Sequence, residues 1–293
     1  MWVLFSILAS IAGAFYYLST QNAKINANIF MVYRGWLIVF ILLPVLCVYP
    51  IRFSLNFYLM SLLQGAIVAY TDYLSFRVNK NYGAETVSSI IPFSVIIVFC
   101  AWCLIHPSIV LNYLETPVKT FFIICSLCGV VYALINYRKT PLTKKAFRLL
   151  IPVLILSSTI SILNKLIMSY SGENPLLCAC WRVWILSLLI GIIHLKIYIK
   201  KGLPLKTLFD IQTLKKGYIF ILLIAVMIFK SLAMLRAQNP AYVSCLVYLT
   251  PIWIMLLGSQ IKTFNFKKQN KLTSRKHKIL FLTSVIILIL ATR

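Results

Sequence analysis

Residues 227–258, near the end of the chain, read MIFKSLAMLRAQNPAYVSCLVYLTPIWIMLLG. A short polar turn that includes Asn239 and Pro240 separates two apolar segments, and Lys230 places one charge inside the first. With its flanking residues, each segment approaches the roughly 20 residues that an α-helix needs to cross a bilayer. The stretch therefore predicts two membrane-spanning helices joined by a tight turn.

The whole chain has the same character. Of its 293 residues, 61% are hydrophobic and 12% are charged, and the mean hydropathy is +0.92. An ordinary soluble domain is about 45–50% apolar and about 25% charged, so a soluble globular protein is excluded. We predict an all-α polytopic membrane protein with ten transmembrane helices, at residues 2–19, 30–49, 56–76, 85–105, 120–136, 149–169, 176–195, 217–235, 241–261 and 279–292.

Basic residues set the expected orientation. The chain has 29 Lys and Arg against 5 Asp and Glu, a formal charge of +24, which in a soluble chain would suggest nucleic-acid binding. Here 21 of the 29 lie in the odd-numbered predicted loops, and four lie in the termini and the even loops. Because Lys and Arg mark cytoplasmic loops and contact anionic lipids, we expect both termini outside, a lipid bilayer as partner and no nucleic acid. Residues 205–216 also suit a short helix on the inner leaflet.

The eight cysteines all lie in apolar runs, and Cys100 with Cys103 and Cys125 with Cys128 have C-x-x-C spacing. No His or further Cys nearby completes a metal-binding set, so we expect small buried thiols, no metal and no cofactor. The first 20 residues lack a basic leader and are predicted to form a retained first span.

Internal repetition is the most informative feature of the chain. Aligning Arg34 with Arg182 pairs residues 33–36 with residues 181–184, and aligning Pro92 with Pro251 pairs the fourth span with the ninth. We therefore predict two repeats of five helices, residues 1–140 and 141–293. Because five is odd, the second repeat must be inverted in the membrane, and inverted repeats build a site that can open to either face. This geometry argues for transport.

Three parts of the sequence resemble the EamA-like, ten-helix branch of the drug/metabolite transporter superfamily. They are Arg34, residues 69–99 and residues 227–258, in which the segments from Ala84 to Pro92 and from Ala241 to Pro251 approximately follow the family's Ala-to-Pro spacing. The resemblance covers the whole chain and implies the export or import of small metabolites, amino acids or drugs through a central cavity. The chain departs from the family where helices four and nine end, because the usual Gly-Glu is absent at both places.

Ionisable residues inside spans are costly and are default candidates for function. Arg34 and Asp72 are expected on neighbouring spans, where they can form an ion pair that fixes packing, or Asp72 can serve as a gate or a proton-coupling group. Lys165 and Arg182 either bind substrate or extend to the interface. Lys230 lies deeper, where it either attracts an anionic group of a substrate or exchanges a proton itself. Glu85 stands at the mouth of the fourth span.

Aromatic residues supply candidate walls for a cavity. Five of them fall where the resemblance places the substrate path, namely Tyr70, Tyr73, Tyr242, Tyr248 and Trp253. The alternative for each is a packing or membrane-interface role.

The expected function is a secondary transporter of small organic metabolites, including amino acids or other carboxylate-bearing solutes, that works by alternating access. A proton or another ion can couple the movement, and the expected location is a bacterial inner membrane. The rival classes are an integral-membrane enzyme and a non-transporting assembly protein. The five acids are dispersed and no His-acid spacing recurs, so we expect no enzyme activity.

Overall fold

A computed structural model describes residues 1–23, 27–49, 52–82, 91–136, 144–204, 208, 215–258 and 271–292. These ranges contain helices and no strand, so the predicted all-α class is confirmed. The α-helices are α1 (Trp2–Ala23), α2 (Ala27–Val48), α3 (Leu55–Tyr82), α4 (Ser94–Ile105), α5 (Pro107–Glu115), α6 (Pro117–Asn136), α7 (Lys144–Met168), α8 (Pro175–Lys200), α9 (Tyr218–Arg236), α10 (Pro240–Val247), α11 (Thr250–Gly258) and α12 (Lys271–Ala291). A 3₁₀ turn at Ile91–Phe93 precedes α4, and another at Lys215–Gly217 precedes α9.

Six of the described helices are long and apolar enough to cross a membrane, namely α1, α2, α6, α7, α8 and α9. The protein is therefore an integral membrane protein. The number rises to seven if α4 and α5, which are bent by 103°, together form one span. The helix α3 is long enough at 28 residues but is not among the six. Its polar residues, including Gln64 and Asp72, interrupt the apolar sequence and lower its hydropathy.

The ninth predicted span, residues 241–261, is not one continuous helix. It is broken into α10 and α11 at Tyr248 and Leu249. Pro251 has no backbone N–H to donate to the Val247 carbonyl, so the helix lacks a hydrogen bond at this point. The hydroxyl of Thr250 donates to the freed Val247 carbonyl at 2.8 Å. We expected Pro251 to lie inside a helix, and it lies instead at the start of α11.

The segment that follows the fourth predicted span also differs from expectation. We expected a loop between His106 and Lys119, but Pro107–Glu115 forms α5. His106 ends α4 and Pro107 begins the next helix, where a proline is tolerated because the first-turn N–H groups have no partner within the helix. Pro92 lies in the 3₁₀ turn and not inside a helix. The turns at Gly172 and Gly202 have positive φ, at 54° and 65°, and end α7 and α8 near the predicted positions.

The chain forms two compact units, each discontinuous in sequence. The first unit comprises Met1–Tyr73 and Leu163–Arg236, and the second comprises Leu74–Ile162 and Ala237–Arg293. Each unit contains residues from both halves of the sequence, and the division into two five-helix repeats stays a prediction. The predicted repeat boundary at residues 140 and 141 lies outside the described residues, as do Glu85 and most of the predicted surface helix at 205–216.

In the first unit, α2 packs against α8 and α1 packs against α9. The contact of α2 with α8 is backbone to backbone, because a Cβ added to Gly35 would overlap the Cα and amide N of Gly191. Lipid tails are as apolar as Leu, so close van der Waals packing between small residues is a main source of helix association in membranes. These two glycines therefore set the distance between α2 and α8.

In the second unit, α12 packs against α6 and α10 packs against α4. Gly129 on α6 faces Ser284 on α12, where an added Cβ would overlap the serine hydroxyl. Two hydroxyl contacts tie this unit further: Tyr113 with Tyr242 at 2.6 Å, and Ser94 with Tyr248 at 2.8 Å. Its interior is thus held by small-residue contacts and by polar groups that bond to each other.

Candidate functional site

The first unit contains an ion pair between Arg34 on α2 and Asp72 on α3. The Nη1 of Arg34 donates to the Asp72 Oδ2 at 2.5 Å, and the two side chains are 15% and 22% exposed. No other ion pair occurs among the described residues. The predicted pairing is confirmed. The Asp72→Asn variant distinguishes a pair that fixes packing, which loses stability, from a pair that gates a pathway, which loses transport.

Arg182 on α8 is the second charged group of this unit, and it is almost fully buried, at 3% exposure. Its Nη1 donates to the side-chain oxygen of Gln64 on α3, and its Nη2 donates to the hydroxyl of Ser231 on α9, each at 2.7 Å. The Nε has no hydrogen-bond partner among the described residues. Arg182 therefore joins three helices through hydrogen bonds made inside the protein, and its part in substrate binding stays a prediction.

Gln64 and Ser231 are functional candidates that sequence reasoning missed. Gln64 is fully buried, and Ser231 donates its own proton to the Met227 carbonyl at 2.6 Å, which leaves its oxygen free to accept from Arg182. A neutral amide within an apolar helix is itself a signal, because polar groups inside a membrane find partners. Both residues are neutral, so neither belongs to the ionisable residues that the sequence singles out.

Lys230 directly precedes Ser231 on α9 and is partly buried. It makes no hydrogen bond or ion pair with the described residues, and the next residue in the chain, Ser231, accepts a hydrogen bond from Arg182. The acids described in the first unit are Asp72, which is paired with Arg34, and Glu173, which is exposed in the turn before α8. Arg182 and Lys230 thus form a cationic cluster with no carboxylate partner among the described residues.

Lys165 near the end of α7 donates from its Nζ to the Leu235 carbonyl at 3.0 Å. Leu235 is in the last turn of α9, where carbonyl groups lack partners within the helix and the helix dipole is negative. This contact gives Lys165 a structural role at the helix end. A role of Lys165 in substrate binding stays a prediction.

The predicted aromatic residues are divided between the two units. Tyr70 and Tyr73 on α3 are exposed, and Trp253 on α11 is partly buried. The Tyr248 hydroxyl contacts the Ser94 hydroxyl and also donates to the Ile91 carbonyl at 3.3 Å, which attaches the end of α10 to the start of α4. These contacts favour a packing role for Tyr248, and its place in a substrate path stays a prediction.

Comparisons with known proteins identify the fold and no family. No family model matches the sequence, and no curated protein matches it. A solved structure, described as a crystal structure of a protein, matches with a TM-score of 0.71 and 12% sequence identity. The match covers 100% of this chain and 98% of that chain. At such low identity the likeness shows the fold alone, which this chain shares with that protein.

Proposed function

We propose that this protein is a secondary transporter of small organic metabolites, working by alternating access in a bacterial inner membrane. The observation that carries the proposal is the cluster of Arg182 and Lys230, buried or half-buried among apolar helices without a carboxylate partner in the described part of the chain. Charged groups inside a membrane are expensive and mark substrate or ion pathways. Amino acids and other carboxylate-bearing solutes are the substrates that such a cluster favours.

The packing of α2 against α8 supports the inverted repeat in this proposal. The sequence alignment makes these the second helices of the two repeats. Gly35 approaches Gly191, while Asn28, earlier on α2, accepts a hydrogen bond from Lys201, just after α8, at 2.9 Å. The two helices therefore run in opposite directions, as inversion of the second repeat requires.

The helices also support ten crossings. Beyond the six apolar helices, we propose four further crossing segments: the polar helix α3, the bent pair α4 and α5, the broken pair α10 and α11, and α12. Broken and polar helices are tolerated at membrane depth where they are buried in protein or line a polar cavity. Ten crossings would fit the resemblance to the EamA-like transporters, and a proton or another ion would then couple the movement.

An untargeted comparison of metabolites between a deletion strain and an overexpressing strain tests this function without a guess about the substrate. We expect at least one small solute to change in opposite directions inside the cells and in the medium. Proteoliposomes with the purified protein should then take up that solute faster than liposomes without it. The Arg236→Gln variant, which changes an exposed arginine at the end of α9, serves as a matched control that keeps uptake.

Two outcomes contradict the proposal. Conversion of one metabolite into another by the purified protein would identify an enzyme. Unchanged metabolite levels, together with uptake no faster than in protein-free liposomes, would favour a non-transporting assembly protein.

A further inference from the structure

The guanidinium of Arg182 is held in a fixed orientation by two helices that do not carry it. Gln64 and Ser231 each accept from one terminal nitrogen, and Ser231 is itself oriented by its bond to Met227. Of the three guanidinium nitrogens, Nε is the one that makes no hydrogen bond with the described residues, and each terminal nitrogen makes one with its two N–H groups. Together with a neighbouring terminal N–H, the Nε–H forms an edge of the guanidinium that matches the two oxygens of a carboxylate or phosphate.

The side of α3 that faces Arg182 carries a further unpaired donor. Phe57, Ser61 and Gln64 are spaced by four and three residues, so they share one helical face. Phe57 packs in a cluster with Cys178, one turn before Arg182 on α8. The Ser61 hydroxyl on this face is fully buried and has no hydrogen-bond partner in the part of the chain that is described. The contact between α3 and α8 thus has spare donors.

The positive charges of Arg182 and Lys230 are not balanced by a negative charge among the described residues. Lys230 adds a second cation directly before Ser231 in the chain, and the carboxylate of Asp72 is already paired with Arg34. Buried charges are normally paired, because desolvation disfavours an isolated ion strongly. Among the described residues no carboxylate pairs with either cation, so their unused N–H donors are complementary to an oxyanion.

We propose that Arg182 and Lys230 bind the oxyanion group of a small solute, a carboxylate or a phosphate, through the Arg182 Nε edge and the Lys230 ammonium. Gln64 and Ser231 are positioning residues, since their hydrogen bonds to the two terminal nitrogens fix the orientation of the guanidinium. The inference rests on the proposed transport function and specifies the substrate class: the carried solute is an anion.

Thermal unfolding of the purified protein in a neutral detergent tests this inference independently of transport, with the six tryptophans as fluorescent reporters. The probes are succinate, acetate and inorganic phosphate, with the uncharged succinamide and with chloride at equal ionic strength as references. We expect at least one oxyanion, and neither reference, to raise the melting temperature in a saturable manner. A rise in melting temperature with succinate or acetate indicates a carboxylate site, and a rise with inorganic phosphate indicates a phosphate site.

The variants Arg182→Gln and Lys230→Gln should weaken the binding of that probe at least about tenfold, since each removes a charge-assisted hydrogen bond. Arg236→Gln should bind as the unmodified protein does. If Arg182→Gln fails to fold, Lys230→Gln still decides, because Lys230 makes no hydrogen bond or ion pair with the described residues.

No stabilisation by any oxyanion, an equal effect of chloride, or unchanged binding in Lys230→Gln would overturn the inference. Failure here combined with measured uptake of an uncharged solute would leave the transport function standing and remove only the anion site. Failure of both measurements would remove both proposals.

Discussion

Replacement of Asp72 by Asn is expected to lower the free energy of unfolding by about 3 kcal/mol. This is the cost expected when one partner of a buried ion pair is removed and the other charge stays. The substitution keeps the size of the side chain but leaves the Arg34 guanidinium without its counter-ion, and Arg34 is only 15% exposed. The stability of the purified protein can be followed by titration with SDS in mixed micelles.

The double variant Arg34→Gln with Asp72→Asn is the control. It removes both charges, so it should recover more than half of the stability that Asp72→Asn loses, because no buried charge is left unpaired. Losses that simply add would show that the two residues do not act as a pair. A variant Asp72→Asn that folds with unchanged stability but no longer transports would assign Asp72 to gating or proton coupling.

Replacement of Gly35 by Ala is expected to be the most damaging single-methyl change in the first unit. The new Cβ would overlap the Cα and N of Gly191 and lie 2.9 Å from the Ser187 carbonyl oxygen. These are backbone atoms, so relief requires α2 and α8 to move apart and to lose packing along their shared face. We expect a loss of about 3 kcal/mol, the upper end for overpacking, and a sharp fall in the yield of folded protein.

Two glycine variants provide graded controls. A Cβ on Gly191 would meet the Trp36 indole nitrogen at 3.2 Å, and one on Gly217 would meet a Leu37 methyl group at 3.6 Å. Melting temperatures should therefore fall most for Gly35→Ala, less for Gly191→Ala, and little for Gly217→Ala. Equal melting temperatures for Gly35→Ala and Gly217→Ala would contradict the close approach of α2 and α8.

The residues that could be predicted from sequence are those that stand out against an apolar background. Arg34 and Asp72 were found in this way, and their pairing followed because a lone charge inside a membrane needs a partner. The glycine contact between Gly35 and Gly191 could not be found, since it depends on which helices are neighbours and on their register. A sequence shows which helix a residue belongs to but not the face of another helix that it meets.

The same reason explains the missed positioning residues. Gln64 and Ser231 are neutral and of ordinary types, and they matter only because α3, α8 and α9 bring them to the two terminal nitrogens of Arg182. The broken helix at Tyr248 was missed for a different reason. Neighbouring helices in a membrane protein can tolerate an internal proline, so Pro251 alone did not reveal whether its helix would bend or break.

Solute exchange in proteoliposomes tests the central claim most directly. Vesicles that hold the purified protein are loaded with a high concentration of the unlabelled solute from the metabolite comparison, and a trace of the labelled solute is added outside. An alternating-access carrier predicts that the label accumulates transiently above its equilibrium level, in the unmodified protein and in Arg236→Gln but not in Lys230→Gln. A label that rises only to equilibrium, or never enters, would contradict a carrier built around Arg182 and Lys230.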